Sequence, residues 1–274
     1  DLKKVKLHLD LKNFSLKIKT NDPVLIIDKD KKILLQEITS NIKITSYFQN
    51  KFLLSKITII TNDNEIKKYL DLYSLFERTP QIILLNQFVK KGNLKFKANI
   101  NFNESGKIKD NYQIEGEAKN IDFNILKFQK IKSLNFNFDI KKNIYNFKEI
   151  SLNFEGVKFD SENISVLKET KNFMVKGSFN NKTHKINQKF IKLIKVLNFG
   201  NFDLVDKNFN SNTNFSFRIN EKFKISNFNY TSEIYIDELI LNYENQLIKN
   251  FFIEYDKSIK FKNNKLLISN LDNK

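Results

Sequence analysis

The sequence predicts a mainly β protein of antiparallel strands with a few amphipathic helices. Three observations carry that expectation. Apolar and polar residues alternate with a period of two through most of the 274 residues, the pattern of strands with one dry and one wet face. Clusters of Asn and Asp separate the alternating runs and supply turn chemistry. A helical period surfaces in only three places.

Residues 1–63 read as strands. The run "KLHLDLKNFSLKI" sets Leu7, Leu9 and Leu11 against Lys6, His8, Asp10 and Lys12. "NIKITSYF" and "LSKITIIT" read as its neighbours. A helix pair is expected over 64–91. Ile66, Tyr69, Leu70, Tyr73 and Phe76 share one helical face, and Asn62 followed by Glu65 resembles a capping box. After a break near Arg78, Thr79 is placed to cap a second helix, with Pro80 at its first position. Lys90 and Lys91 suit its last turn, and Gly92 suits the left-handed position beyond it.

Strands resume over 92–186. "NLKFKANINF" places Leu94, Phe96, Ala98, Ile100 and Phe102 on one face and Lys95, Lys97, Asn99 and Asn101 on the other. Ile114 continues the pattern in "YQIEGEA", and "LNFNFDI" adds Leu134, Phe136, Phe138 and Ile140. "ISLNFEGVKF" gives Ile150, Leu152 and Phe154, then slips in phase at Gly156 before Val157 and Phe159. A glycine at a phase slip reads as a β-bulge, and repeated bulges favour a curved sheet. A third helix is expected at 188–199, with Phe190, Leu193, Ile194 and Leu197 on one face and Gly200 behind it. Strands then fill 201–274.

The net charge of +16 invites a nucleic-acid reading. Two observations count against it. Arg78 and Arg218 are the only arginines among 47 basic residues, whereas base and phosphate readers favour the arginine fork. Lys and Phe also occupy opposite strand faces, so no aromatic platform is interleaved with cations. Attraction to anionic lipid headgroups fits the charge equally well. No apolar run is long enough to span a bilayer. The chain starts at Asp1 without an initiator Met and is read as a fragment of a longer chain.

No catalytic constellation is recognisable, and the expectation is a non-enzyme without cofactor or metal. The absence of cysteine excludes disulfides and thiolate nucleophiles. His8 and His184 have no partnering motif. "DKDKK" at 28–32 is a charged turn rather than a calcium loop. Glu115 and Glu117 fall on a wet strand face, the setting of solvent-exposed carboxylates rather than of acid–base work. The amphipathic strands leave two structural answers. A closed β-sandwich, serving as a structural or adhesion module, would bury the apolar faces against each other. A single curved sheet would leave its concave apolar face open to a lipid.

The chain resembles the AsmA-like family, which stands with TamB-like and YhdP-like proteins among the bridge-type, repeating β-groove lipid transporters. The resemblance covers most of the chain and is strongest at 1–185. It rests on "VKLHLDLKNFSLKI", "KILLQEITSNIKI", "LSKITIIT", "TPQIILLNQFVKKGNLKFKANINFNESGK", "YQIEGEAKNIDF" and "ISLNFEGVKF". It implies that residues 1–274 form one elongated apolar β-groove, curved and antiparallel, without catalytic residues. The implied ligand is a phospholipid or other acyl lipid, and the implied role is intermembrane phospholipid transport and outer-membrane biogenesis and homeostasis. The implied place is the periplasmic side of a bacterial cell envelope, anchored to the inner membrane by a segment outside these residues. The groove-wall candidates are Leu94, Phe96, Ile100, Phe102, Ile114, Leu134, Phe136, Phe138, Leu152 and Phe154.

Overall fold

The alternating runs become strands of one antiparallel sheet. In the computed structural model, residues 4–28, 31–77, 79–126, 129–188, 190–191, 202–204, 207–222, 224–242, 246–252 and 258–270 are described. The first part holds β1 (Val5–Asp10), β2 (Ser15–Asn21), β3 (Val24–Asp28), β4 (Lys31–Lys43), α1 (Thr45–Phe48), β5 (Leu54–Thr61) and β6 (Asn64–Glu65). Helices α2 (Ile66–Phe76) and α3 (Pro80–Phe88) follow. Then come β7 (Val89–Asn101), β8 (Gln113–Leu126), β9 (Gln129–Lys141), β10 (Ile144–Phe154), β11 (Val157–Lys168) and β12 (Asn172–Lys185). The last part holds β13 (Phe202–Asp203), β14 (Asn208–Asn220), β15 (Ile225–Asn242), α4 (Gln246–Phe251) and β16 (Ser258–Asn270).

The lateral order is β1-β2-β4-β5-β7-β8-β9-β10-β11-β12-β14-β15. Strands β13 and β16 both pair with β15, β6 pairs with β7, and β3 adds a short ribbon to β4. The sheet is not closed into a barrel. Among the described residues no second sheet faces it, so the closed sandwich does not form.

Local chemistry explains the helix pair and corrects part of its expected outline. Thr79 caps α3 as anticipated: its hydroxyl accepts from the Ile82 amide at 3.4 Å, with Pro80 behind it. The start of α2 has no capping box, since Glu65 is the N-cap and makes no side-chain bond. Asn64 is used differently. Its side-chain amide pairs with Leu34 as a peptide would, accepting from the Leu34 amide and donating to the Leu34 carbonyl, each at 2.8 Å. The other end of α3 also departs from expectation. The helix stops at Phe88, and Lys90, Lys91 and Gly92 lie in β7. Gly92 has φ +133°, and a Cβ there would stand 2.7 Å from the Ile121 backbone, so close approach of β8 selects glycine rather than a helix end.

The phase slip at Gly156 is likewise not a bulge. Glu155 and Gly156, with φ of +50° and +90°, form the two-residue turn between β10 and β11. Positive φ at both central positions matches the right-handed twist of a hairpin. The bulges lie elsewhere, in a lateral row. Register breaks occur between Ala118 and Ile121 on β8, Lys148 and Ser151 on β10, Asp160 and Ile164 on β11, and Asn181 and His184 on β12. Asn120, Ser133 and Glu149 take φ of +52°, +50° and +52° within this row. A bulge bends its strand, so breaks at one level turn neighbouring strands together and curve the sheet across their direction.

Two separate cores lie along that row, and the first straddles it, with Ala118 and Ile121 on either side of the β8 break. Helix α2 covers buried Val89, Ala118 and Ile121, with Ile66, Leu70, Leu94, Phe123, Leu134 and Phe136 packed around them. The second core holds Val157, Ile186, Leu204, Phe209, Ile236 and Leu239. Phe190 stacks on Phe209 there, with ring centroids 5.5 Å apart. Phe190 belongs to a helical turn whose amide is capped by Asn187 Oδ1 at 2.9 Å. Most of the expected third helix, 192–199, lies outside the described residues.

Candidate functional site

Cross-strand partners share a sheet face, so the register can be followed from edge to edge. Leu7 pairs with Ile18, Ile18 with Ser40, and Ser40 with Ile57. Ile57 pairs with Ile100, while Ala98, two residues back along β7, pairs with Ile114. Ile114 pairs with Ile140, Ile140 with Tyr145, and Tyr145 with Val166. Val166 then pairs with Val175, and Val175 with Phe217. An apolar face thus crosses eleven strands, β1 to β14, with Ser40 and the Tyr145 phenol its only hydroxyls on this path. Most of these side chains are half-buried: their neighbours on the sheet shield them, and among the described residues they belong to neither packed core.

The opposite face is polar, and several of its charges are paired locally. Lys97 meets Glu115 at 3.6 Å, Lys119 meets Glu117 at 2.9 Å, and Lys141 meets Asp139 at 3.0 Å. Lys19 meets Glu37 at 2.6 Å, and its hydrogen bond, followed by that of Thr39, holds the Glu37 carboxyl below the ordinary glutamate range. Glu115 and Glu117 therefore act as counter-ions on the wet face. His8 lies opposite Lys17 on β1, and His184 lies opposite Phe209 on β12. They stand at well-separated strands of the sheet. Among the described residues no group of three or more His, Asp or Glu is arranged to hold a metal.

Nine of the ten wall candidates lie on strands of the apolar face, in two settings. Leu94, Leu134 and Phe136 pack around the core beneath α2. Phe96 lies there too, with its ring 5.4 Å from that of Tyr69. Ile100, Ile114 and Phe138 stand beyond the bulge row, outside the core beneath α2. Leu152 pairs with Phe159, and Phe154 with Val157 at the hairpin end. Phe102 is the exception: it follows β7, makes a single bridge with Ile108, and rests 5.9 Å from the Phe52 ring.

The sequence reading stopped its wall at β10, whereas the apolar face continues. On β12, β14 and β15 a run of rings crosses the sheet: Phe179 to Phe215 at 5.5 Å, Phe215 to Phe217 at 6.0 Å, Phe217 to Phe228 at 6.0 Å and Phe228 to Tyr230 at 5.4 Å. These rings and Thr213 line an open hollow of about 320 Å³. The signal was present in the alternation of "NFMVKGSF" and "NFSFRI". Two glycines on this face were silent in the sequence. At Gly177 an added Cβ would stand 2.8 Å from Ile164 Cγ1, and at Gly116 it would stand 2.7 Å from Phe138 Cζ. Both leave room for neighbouring side chains to lie flat against the strand.

No protein-family pattern, curated protein or solved structure matches the chain.

Proposed function

We propose that this chain is a non-enzymatic lipid conduit, shielding acyl chains on the apolar face of its curved sheet. The observation that carries this reading is the continuity of that face across strands β1 to β14, along a path that among the described residues lies outside both packed cores. Removing one acyl CH₂ from a membrane into water costs about 0.8 kcal/mol. A phospholipid with roughly 30 such groups faces a barrier on the order of 20 kcal/mol by the same coefficient. An uninterrupted apolar trough lowers the barrier by keeping the chains from water. Eleven strands at about 4.8 Å give a trough on the order of 50 Å, longer than one extended lipid, so several lipids could lie in file. The resemblance to the AsmA-like family supports the same reading. It adds the periplasmic side of a bacterial envelope as the setting, with phospholipid transport and outer-membrane homeostasis as the role. On the opposite face several lysines pair with neighbouring carboxylates, which disfavours a nucleic-acid footprint.

The test is site-specific photo-crosslinking with native mass spectrometry of the purified chain. Crosslinker at Ile140, Phe147 or Phe217 should capture phospholipid, while crosslinker at Lys148 or Ser216 on the wet face should not. Phe138→Lys, which places a charge on the uncovered part of the face, should abolish capture at Phe147. Equal labelling of the two faces, or none on either, sinks the proposal.

A further inference from the structure

The turns at one end of the sheet are unlike ordinary surface loops. Three neighbouring hairpins bring together the β1–β2 turn, the β4–β5 connection containing α1, and the β7–β8 loop. Backbone bonds tie them into one tip: the Ile44 amide donates to the Phe14 carbonyl at 2.9 Å, and the Phe52 amide donates to the Glu104 carbonyl at 3.0 Å. Each loop presents large apolar side chains to solvent. Leu11 is 71% exposed, Phe14 59%, Tyr47 70%, Phe48 81%, Phe52 43% and Ile108 57%.

The same three loops are basic. Lys12 lies in the first, Lys43 and Lys51 flank the second, and Lys107 and Lys109 lie in the third. Their acidic neighbours are already engaged. Asp10 accepts from Asn13 at 2.8 Å, Asp110 from Lys142 at 2.5 Å, and Glu104 meets Lys51 at 2.7 Å. The Glu104 carboxyl is held below its ordinary range by the Lys51 bond and charge, with Lys43 and Lys109 adding to the field. The tip therefore combines protruding aromatic and aliphatic groups with a surplus of lysine.

We infer that these three loops dock the sheet onto an anionic bilayer surface. Protrusion favours a membrane over a protein partner, because anchor residues at protein interfaces sit in well-packed pockets, whereas a headgroup layer accepts convex apolar groups. Tyrosine and lysine suit that layer, one by its amphipathic ring and the other by reaching back to phosphate. Continuity points the same way. Helices cover the opposite end of the apolar face, while at this end the face runs through exposed Leu9 onto the tip. Among the described residues no helix is long and apolar enough to cross a membrane, so the contact is interfacial. The inference rests on the conduit reading only in placing one side of the trough, toward its β1 end, at a bilayer.

The chain has no tryptophan, so a single indole reports cleanly. Phe48→Trp marks the tip, and Phe76→Trp marks an equally exposed ring on the helical end. With vesicles of phosphatidylcholine and phosphatidylglycerol, Phe48→Trp emission should shift to the blue and be quenched by brominated acyl chains. Phe76→Trp emission should do neither, and pure phosphatidylcholine should bind more weakly. Tyr47→Ser with Phe48→Ser should weaken co-sedimentation roughly tenfold or more with an unchanged thermal melt. Absence of vesicle binding overturns the inference, as does an equal response from both indoles. A tip-dependent dimer in light scattering without vesicle binding also overturns it. Lipid capture inside the trough, read by crosslinking at Phe147, is independent: its survival alongside lost vesicle binding rejects the docking tip alone.

Discussion

The ring of Phe138 lies across the backbone of Gly116, leaving no room for a side chain between them. A Cβ at Gly116 would stand 2.7 Å from Phe138 Cζ and 2.3 Å from the Lys95 carbonyl oxygen. Gly116→Ala should therefore cost about 1–3 kcal/mol of stability by overpacking, read as a lower denaturant midpoint. Adding Phe138→Ala should restore only part of the loss, because the Lys95 carbonyl cannot swing away as a ring can.

Asn64 offers a test of side-chain mimicry of a strand. It is 3% exposed, and besides Leu34 its amide nitrogen reaches the Asn62 carbonyl at 2.9 Å and the Tyr69 hydroxyl at 3.0 Å. Asn64→Asp keeps the shape but removes both N–H donors and buries a charge beside two carbonyls. A loss of about 3 kcal/mol or more is expected, since an unsatisfied buried group costs about 1–3 kcal/mol and a charged one more. Thermal melts of the variant at neutral and acid pH check this: protonating the new carboxyl should recover part of the stability.

Asn135 staples the row of bulges. Its Oδ1 accepts from the Asn120 amide at 2.9 Å, and its Nδ2 donates to the Ser133 carbonyl at 2.8 Å and to Ser151 Oγ at 3.3 Å. Asn135→Ala should lose about 1–2 kcal/mol. Hydrogen exchange should quicken at Asn120 and its neighbours on β8, and remain unchanged at the distant β14–β15 pair.

Asp71 joins α2 to both β4 and α3. Lys31 donates to it at 2.7 Å and Asn86 at 3.3 Å, and the Lys31 bond is the main reason its carboxyl is held below the ordinary aspartate range. A depressed folded-state pKa contributes stability that is present above the unfolded value, about 3.9, and lost as pH falls through the folded value. The Lys31 side chain is half exposed, so solvent screening limits the effect to about 1 kcal/mol or less. Unfolding midpoints measured from neutral pH down to acid should show a fall in wild type that is shallower in Asp71→Asn.

Much of this arrangement is legible in the chain, and the misreadings have physical causes. Strand faces follow from alternation alone, so the two sides of β7 to β10 could be assigned. The Thr79–Pro80 start of α3 follows from local chemistry. Gly92 and Gly156 misled because glycine serves several ends: one accommodates a crossing strand and the other closes a hairpin. The true bulges went unseen because Asn120, Ser133 and Glu149 carry side chains. Their signature is apolar spacing of three instead of two, as from Ala118 to Ile121, Ile131 to Leu134 and Phe147 to Ile150. Whether the apolar face was covered depended on long-range arrangement, which period-two patterning does not encode. The tip was overlooked because Tyr47 and Phe48 were absorbed into a strand run that the structure ends in α1.

Strand order almost repeats chain order, so from β8 to β11 every strand pairs only with its immediate predecessor and successor. Such a lattice is quasi-one-dimensional, with stability given by nearest-neighbour terms. Inserting or deleting one hairpin would change the span by roughly 10 Å while leaving the cross-section intact. Reach is thus a modular variable of this architecture, adjustable in two-strand steps without redesigning any of the contacts that shape its lining.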